Sequence, residues 1–265
     1  GDRGTQMAAP LAHPDPPRRW WSTPDARAVL LLWAILTLLL VIFSLTVPRA
    51  LMGPQASTTM GAVENTFIVF SVAAAPVAAV VWAVSIHSLL RWRRKGNWTE
   101  GDPDGVPMRG NTWFTASWML LSSLLCLFLL VWGFAALAAI GSPATAANPL
   151  VVNVTGQQWV WTFKYPQGGG AESDQLYLPI NRPVVFKVTS NDVIHSFWVV
   201  EMGIKVDANP GVTTTTQTVP DRLGVYHVKC AELCGLLHAD METNVHVVTN
   251  QQFQSWLKSK PGGSG

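Results

Sequence analysis

The stretch Cys230–Met241, CAELCGLLHADM, gathers two cysteines, a glutamate, a histidine and a methionine in a chain that has only three cysteines. Cys234 follows Cys230 by four residues, His238 follows by four more, and Met241 by three. On a loop that closes a strand, this spacing can turn several donors toward one point. A further donor can come from a neighbouring strand, and SNDVIHSFW offers His195 with dense apolar packing after it. Two thiolates and two imidazoles would close a tetrahedral zinc site, but zinc leaves Met241 without a role. Thiolate, imidazole and thioether together favour copper. A mononuclear blue site needs one thiolate, two imidazoles and a weak axial Met. Here a second thiolate lies in the same loop, and two thiolates can bridge a pair of copper ions. Each ion would carry one imidazole. Met241 would serve one ion, and the backbone carbonyl of Glu232, midway between the cysteines, can serve the other.

Other readings of these residues explain less. A plain Cys230–Cys234 disulfide suits an oxidising compartment but leaves His238 and Met241 unused. No C-x-x-C-H occurs, so covalent c-type haem attachment is excluded. Cys126 falls within an apolar run and reads as packing. His87 reads as a polar residue near a helix end. His227 and His246 alternate with apolar strand residues and read as facing solvent or a subunit, and His13 lies in an N-terminal tail.

The elements that must position such a site divide the chain. Only 13 % of its 265 residues are charged, too few for an ordinary soluble domain. The net charge of +2, with no basic stripe interleaved with aromatics, gives no sign of nucleic-acid binding. Residues 28–47, 67–90 and 113–140 carry no Asp, Glu, Lys or Arg. Each is about the roughly 20 apolar residues that cross a bilayer, and helix is the form that satisfies its own backbone there. The first run could instead serve as a secretory signal, but it is long for one, and a retained membrane helix is the reading adopted. Arg91, Arg93, Arg94, Lys95 and Arg109 lie between the second and third runs, and Arg18, Arg19 and Arg27 precede the first. Only Arg49 lies between the first and second. The basic segments belong inside, so residues 1–27 form a cytoplasmic tail and the copper loop faces outward. Trp20, Trp21, Trp92 and Trp113 fit interfacial positions.

Beyond the linker GSPATAAN, residues 148–257 read as an all-β domain. LVVNVTG, QWVWTFKYP, PVVFKVTS, HSFWVVE, TTTTQTV, GVYHVKC and NVHVV read as strands, separated by turn signals such as PQGGG, INRP and DANPG. Their close spacing suggests an antiparallel sandwich or barrel. QQFQSWL reads as a short helix, and residues 258–265 as a disordered tail.

Four motifs, CAELCGLLHADM, DVIHSFWV, KVDANPG and VTGQQWVWTFKY, resemble subunit II of the haem-copper cytochrome c oxidases. The resemblance covers roughly Phe67–Leu257 and implies a cupredoxin-like Greek-key barrel after the transmembrane helices. It implies a binuclear CuA centre held by His195, Cys230, Glu232 through its carbonyl, Cys234, His238 and Met241. It further implies that the Glu232 side chain reaches a magnesium ion shared with subunit I. The expected function is electron acceptance from cytochrome c and delivery to haem in subunit I, where oxygen is reduced to water. That makes the chain part of an oxidoreductase complex in a bacterial cell membrane, multi-pass, with subunit I and other oxidase subunits as partners. The copper domain would lie on the periplasmic or extracellular face. A CuA subunit of a nitric oxide reductase or a copper-free quinol oxidase subunit is the alternative, and the complete ligand set argues against the latter.

In the family, the residue at Trp159 is the exposed point where electrons arrive. Trp159 and Trp161 are two apart and would share one strand face; Trp159 is assigned that role and Trp161 packing. Glu172, Asp174 and Asp192 are candidate docking acids for a basic cytochrome. Two departures stand out. Thr115 occupies a place where the family often has a glutamate at a proton-channel mouth, and Val212 stands where it often has arginine after DANPG.

Overall fold

The computed structural model describes residues 23–93, 96, 110–141 and 148–261. The expectations placed on His13, Arg18, Arg19, Trp20, Trp21, Arg94, Lys95 and Arg109 fall outside these residues. The chain divides into two compact units, Gly1–Val41 with Ala74–Gly105 and Ile42–Ala73 with Val106–Gly265.

Three apolar stretches form long helices: α1 (Pro24–Leu51), α2 (Thr58–His87) and α3 (Thr112–Gly141). All three are long and apolar enough to cross a membrane. Their leucines and aromatics are largely exposed, Trp113, Phe114 and Leu121 of α3 among them. Apolar rows of this length are at home in lipid, where a helix leaves no backbone group unpaired. Helix α1 starts at Pro24, ahead of the apolar run at 28, because Thr23 caps it: its hydroxyl accepts from Ala26 N at 3.2 Å. Helix α2 runs on through a π-helical turn at Ser88–Trp92.

In the first unit, the Trp33 indole donates to the Pro76 carbonyl at 2.9 Å. His87 is buried and its Nε2 lies 3.2 Å from Asp25 Oδ1, which gives this buried imidazole a named partner. In the second unit, the segment joining α1 to α2 is bonded to the β-domain. Ser57 Oγ donates to the Met202 carbonyl at 2.8 Å, Ala56 N to the Glu201 carbonyl at 2.9 Å, and Thr59 Oγ1 lies 3.0 Å from Thr218 Oγ1. The end of α3 is bonded to the same domain, with Gln217 Nε2 donating to the Gly141 carbonyl at 2.7 Å.

The β-domain is built from β1 (Leu150–Gln157), β2 (Val160–Tyr165), β3 (Ala171–Ser173), β4 (Leu176–Pro179), β5 (Val184–Ser190), β6 (His195–Val199), β7 (Ile204–Ala208), β8 (Thr214–Thr218), β9 (Gly224–Cys230) and β10 (Glu242–Val248). They form two five-stranded sheets, ordered β3-β2-β1-β5-β8 and β4-β10-β9-β6-β7. This is the cupredoxin-like barrel expected from the resemblance. The expectation of a purely antiparallel domain does not hold: β1 runs parallel to β5, and β4 parallel to β10. Parallel pairing needs a crossover, and single-strand patterns do not report it. Three strands, β3, β4 and β7, were also not read from the sequence; β3 and β4 are only three and four residues long, whereas β7 alternates as Ile-Lys-Val-Asp-Ala and was missed.

Burial alternates along β1, β2 and β5, so one face of each strand supplies the core. Phe197 is its hub, with ring centroids 5.6 Å from Trp161, 5.4 Å from Phe186 and 6.2 Å from Phe163. Helix α4 (Asn250–Lys258) closes the domain by burying Phe253 and Leu257. Thr249 and Gln252 form its capping box. The helix therefore reaches Lys258, the first residue assigned to the expected disordered tail.

Candidate metal centre

Strand β9 ends at Cys230 and β10 begins at Glu242, so residues 231–241 form the loop between two neighbouring strands. The loop is pinned at its base: Cys230 N donates to the Met241 carbonyl and Ala231 N to the Ser196 carbonyl, both at 3.0 Å. Antiparallel pairing of β6 with β9 sets Phe197 opposite Cys230. That register carries His195, at the start of β6, up to the same end of the sheet as the loop.

The donors converge. The Cys230 and Cys234 sulfurs are 3.7 Å apart, well beyond the roughly 2.05 Å of a disulfide. His195 Nδ1 lies 3.8 Å from Cys230 Sγ, and His238 Nδ1 lies 3.5 Å from Cys234 Sγ. Met241 Sδ is 3.7 Å from Cys234 Sγ. The Glu232 carbonyl accepts from the Cys230 thiol at 3.3 Å. His195, Cys230 and Cys234 form a buried group able to hold a metal ion. Each sulfur thus has its own imidazole, one side adds a thioether and the other a carbonyl. The Glu232 side chain is exposed.

Close packing holds this arrangement. At Gly156 an added Cβ would meet His195 Cδ2 at 3.0 Å and Trp161 Cζ3 at 3.1 Å, so any larger residue would press on the imidazole. Gly235, at φ +118°, would meet the Trp159 ring at 3.3 Å. Burial, followed by the neighbouring Cys230 sulfur, pushes the Cys234 thiol up to about 11. A raised Cys234 thiol gives up its proton when a cation binds in its place.

Trp159 and Trp161 do not share a face. Trp159 sits in the two-residue turn between β1 and β2, not in the strand, and is half-buried. Its indole donates to the Cys234 carbonyl at 3.2 Å, and Gln158 Nε2 donates to the same oxygen at 2.8 Å. Trp161 is 2 % exposed and belongs to the core. Glu172 and Asp174 are exposed, and Glu172 is ion-paired to Lys164 at 2.8 Å. Asp192 lies beside the centre. Burial pushes its carboxyl up, but donations from Gln158 N, His195 and Val193 N together outweigh burial and hold it at about 2. Gln158 was not singled out in the sequence; the only signal was its place beside Trp159. His227 Nδ1 lies 2.7 Å from Glu201 Oε1, and His246 Nε2 lies 2.9 Å from Gln175 Oε1. Neither touches the cluster.

Comparison with known proteins gives a consistent family. A family described as "Cytochrome C oxidase subunit II, periplasmic domain" matches residues 170–248. The chain is 31 % identical over 212 residues to cytochrome c oxidase subunit 2 of Alkalihalophilus pseudofirmus, covering 78 % of this chain and 59 % of that protein. It is 31 % identical over 261 residues to the same subunit of Thermostichus vulcanus, covering 79 % of this chain and 78 % of that one. Among solved structures, the periplasmic domain of subunit II of cytochrome oxidase of Bradyrhizobium japonicum is 31 % identical, covering 43 % of this chain and 94 % of that one, with a TM-score of 0.42.

Proposed function

The chain belongs to the cytochrome c oxidase subunit 2 family, and on that premise we propose that it is the electron-accepting subunit of a terminal haem-copper oxidase. It takes electrons from cytochrome c and passes them to haem in subunit I, where oxygen becomes water. The observation that carries this reading is the convergence of two thiols 3.7 Å apart, each with its own imidazole nitrogen within 3.8 Å. That donor set suits two soft cations better than one hard one. His195, Cys230, Cys234, His238, Met241 and the Glu232 carbonyl are the proposed ligands. When bound, a copper pair supplies a one-electron store that needs little rearrangement on reduction.

The chain's own residues do the rest. Burial of His195, Cys230, Cys234 and Met241 keeps water away from the donors. The two imidazoles present Nδ1 to the sulfurs. The Trp159 ring is partly exposed, and its N–H bond to the Cys234 carbonyl gives a short bonded route from the surface to a ligand. We assign Trp159 as the point where electrons arrive, and Glu172 and Asp174 as docking acids. The exposed Glu232 carboxylate is assigned to a magnesium ion shared with subunit I.

The N-terminus is assigned to the cytoplasm and the β-domain to the outer face. Bonds from both the α1–α2 segment and the end of α3 to the β-domain agree with these sharing one side of the membrane, and the Lys and Arg bias assigns that side as the outer one. Impermeant labelling of Pro54→Cys but not Gly96→Cys in intact cells is the expected result, and the opposite pattern inverts the topology. Ser57 is too buried to report. For the centre itself, the full-length chain in detergent should take up two coppers that share one unpaired electron when oxidised. One zinc, or one copper with a blue-site spectrum, overturns the proposal.

A further inference from the structure

The charge of Asp192 suggested a docking role, but both of its carboxylate oxygens are hydrogen-bonded within the β-domain. Oδ1 lies 2.9 Å from His195 Nε2 and accepts from Val193 N at 2.7 Å and from Ser190 Oγ at 3.2 Å. Oδ2 accepts from Gln158 N at 2.7 Å. Only 26 % of the side chain is exposed. The two oxygens therefore act on two segments distant in sequence, the turn that carries Trp159, 34 residues before Asp192, and the start of β6.

The consequence for His195 is chemical. Oδ1 already accepts from Val193 N and Ser190 Oγ, so the hydrogen-bond network assigns the ring proton to Nε2. The lone pair is then on Nδ1, the nitrogen that faces Cys230 Sγ at 3.8 Å. The ring itself is fully buried, and its edge meets Trp161, with centroids 5.9 Å apart. The same carboxylate anchors the backbone of Gln158, whose side chain and neighbouring Trp159 both donate to the Cys234 carbonyl. Both oxygens of this carboxylate are engaged by groups of the β-domain itself.

We propose that Asp192 is a positioning residue: it fixes the tautomer and orientation of His195 and ties the Trp159 turn to the metal centre. This rests on the ligand set given under the proposed function. Partners of this kind, once removed, typically cost about 10–100-fold in metal affinity.

The test uses the full-length, copper-loaded chain and two substitutions. Asp192→Asn removes the charge and one acceptor. Asp192→Glu keeps the charge and moves it by one methylene. Positioning requires both variants to shift the copper spectrum and to release copper to a chelator faster, by about 10–100-fold for Asp192→Asn. Asp192→Asn should also raise the reduction potential, because a negative charge that favours the oxidised centre is gone. Docking requires the reverse: Asp192→Glu like the parent throughout, and Asp192→Asn with parental spectrum, potential and copper release but a higher KM for reduced cytochrome c. That pattern overturns the inference and leaves the centre standing. If Asp192→Asn does not fold, the copper release of Asp192→Glu decides alone, faster release supporting positioning and parental release refuting it. A parent chain that takes up no copper pair overturns the centre and this inference with it.

Discussion

The two imidazoles of the donor cluster are held in opposite ways. His195 stands at the first position of a strand, is fully buried, and is gripped by Asp192, the Trp161 ring and the backbone at Gly156. His238 stands on a short 3₁₀ turn, His238–Asp240, in the middle of a loop, and is half-buried. Among the described residues its ring has one polar neighbour, the Cys234 sulfur. The barrel thus supplies one rigid half and one accessible half of the same cluster. A ligand inside a sheet is placed by ladder hydrogen bonds and packing. A ligand on a loop is placed by its neighbours in sequence and by whatever it binds.

The strongest challenge to this comparison removes what the halves share. Cys230→Ser and Cys234→Ser should each abolish the binuclear centre, because one remaining thiolate cannot bridge two ions. Copper content and electron paramagnetic resonance of the full-length chain measure it, and a retained paired signal in either variant refutes the bridging role. Next come the imidazoles themselves. His195→Gly should lose copper and stay empty when free imidazole is added, since the closed core gives it no path. His238→Gly should regain a copper spectrum with added imidazole. Equal rescue of both would show that the rigid and accessible halves do not differ.

The two tryptophans extend the contrast from ligands to their surroundings. Trp161→Ala should cost roughly 3–5 kcal/mol of stability, as large-to-small core changes do. Trp159→Ala should leave melting and copper content near parental while losing most of the cytochrome-to-copper rate in stopped flow. A parental rate in Trp159→Ala removes its assigned role.

The smallest effect expected lies on strand β10, outside the donor cluster. His246 is stacked on Tyr177 with centroids 4.4 Å apart, and burial lowers its pKa below the ordinary imidazole value. The unfolded chain therefore binds a proton at a higher pH than the folded one does. Stability from this residue is complete above the unfolded pKa of about 6.5 and declines as pH falls through the window below it. His246→Gln should flatten that part of the melting-temperature profile between pH 7.5 and pH 5. A profile with unchanged slope would show that His246 carries none of it.

How much of this was legible in the chain depends on distance along it. Cys230, Glu232, Cys234, His238 and Met241 lie so close together that one loop had to carry them all, and their soft, mixed chemistry pointed to copper before any fold was known. The three helices were equally plain, because long uncharged apolar runs leave the backbone few choices in lipid. The terminal helix showed in its apolar spacing, and its capping box sits in the residues Thr249 and Gln252 themselves.

What remained belonged to tertiary structure. Strands β1 and β5 pair in parallel only because distant segments meet, and no local pattern reports such a meeting. Trp159 and Trp161 read as one face because alternation assumes an unbroken strand; the turn at Gln158–Trp159 separates them. Asp192 read as a surface charge because composition records a carboxylate and not its partners. Ser190, Val193 and His195 lie within three residues of it, but the Gln158 contact comes from the Trp159 turn across space, and such a bond has no signature in sequence order. The residue types decided which chemistry was available; the pairing of β6 with β9 decided which histidine it would reach, since only the folded register brings His195 to Cys230 across 35 residues of chain.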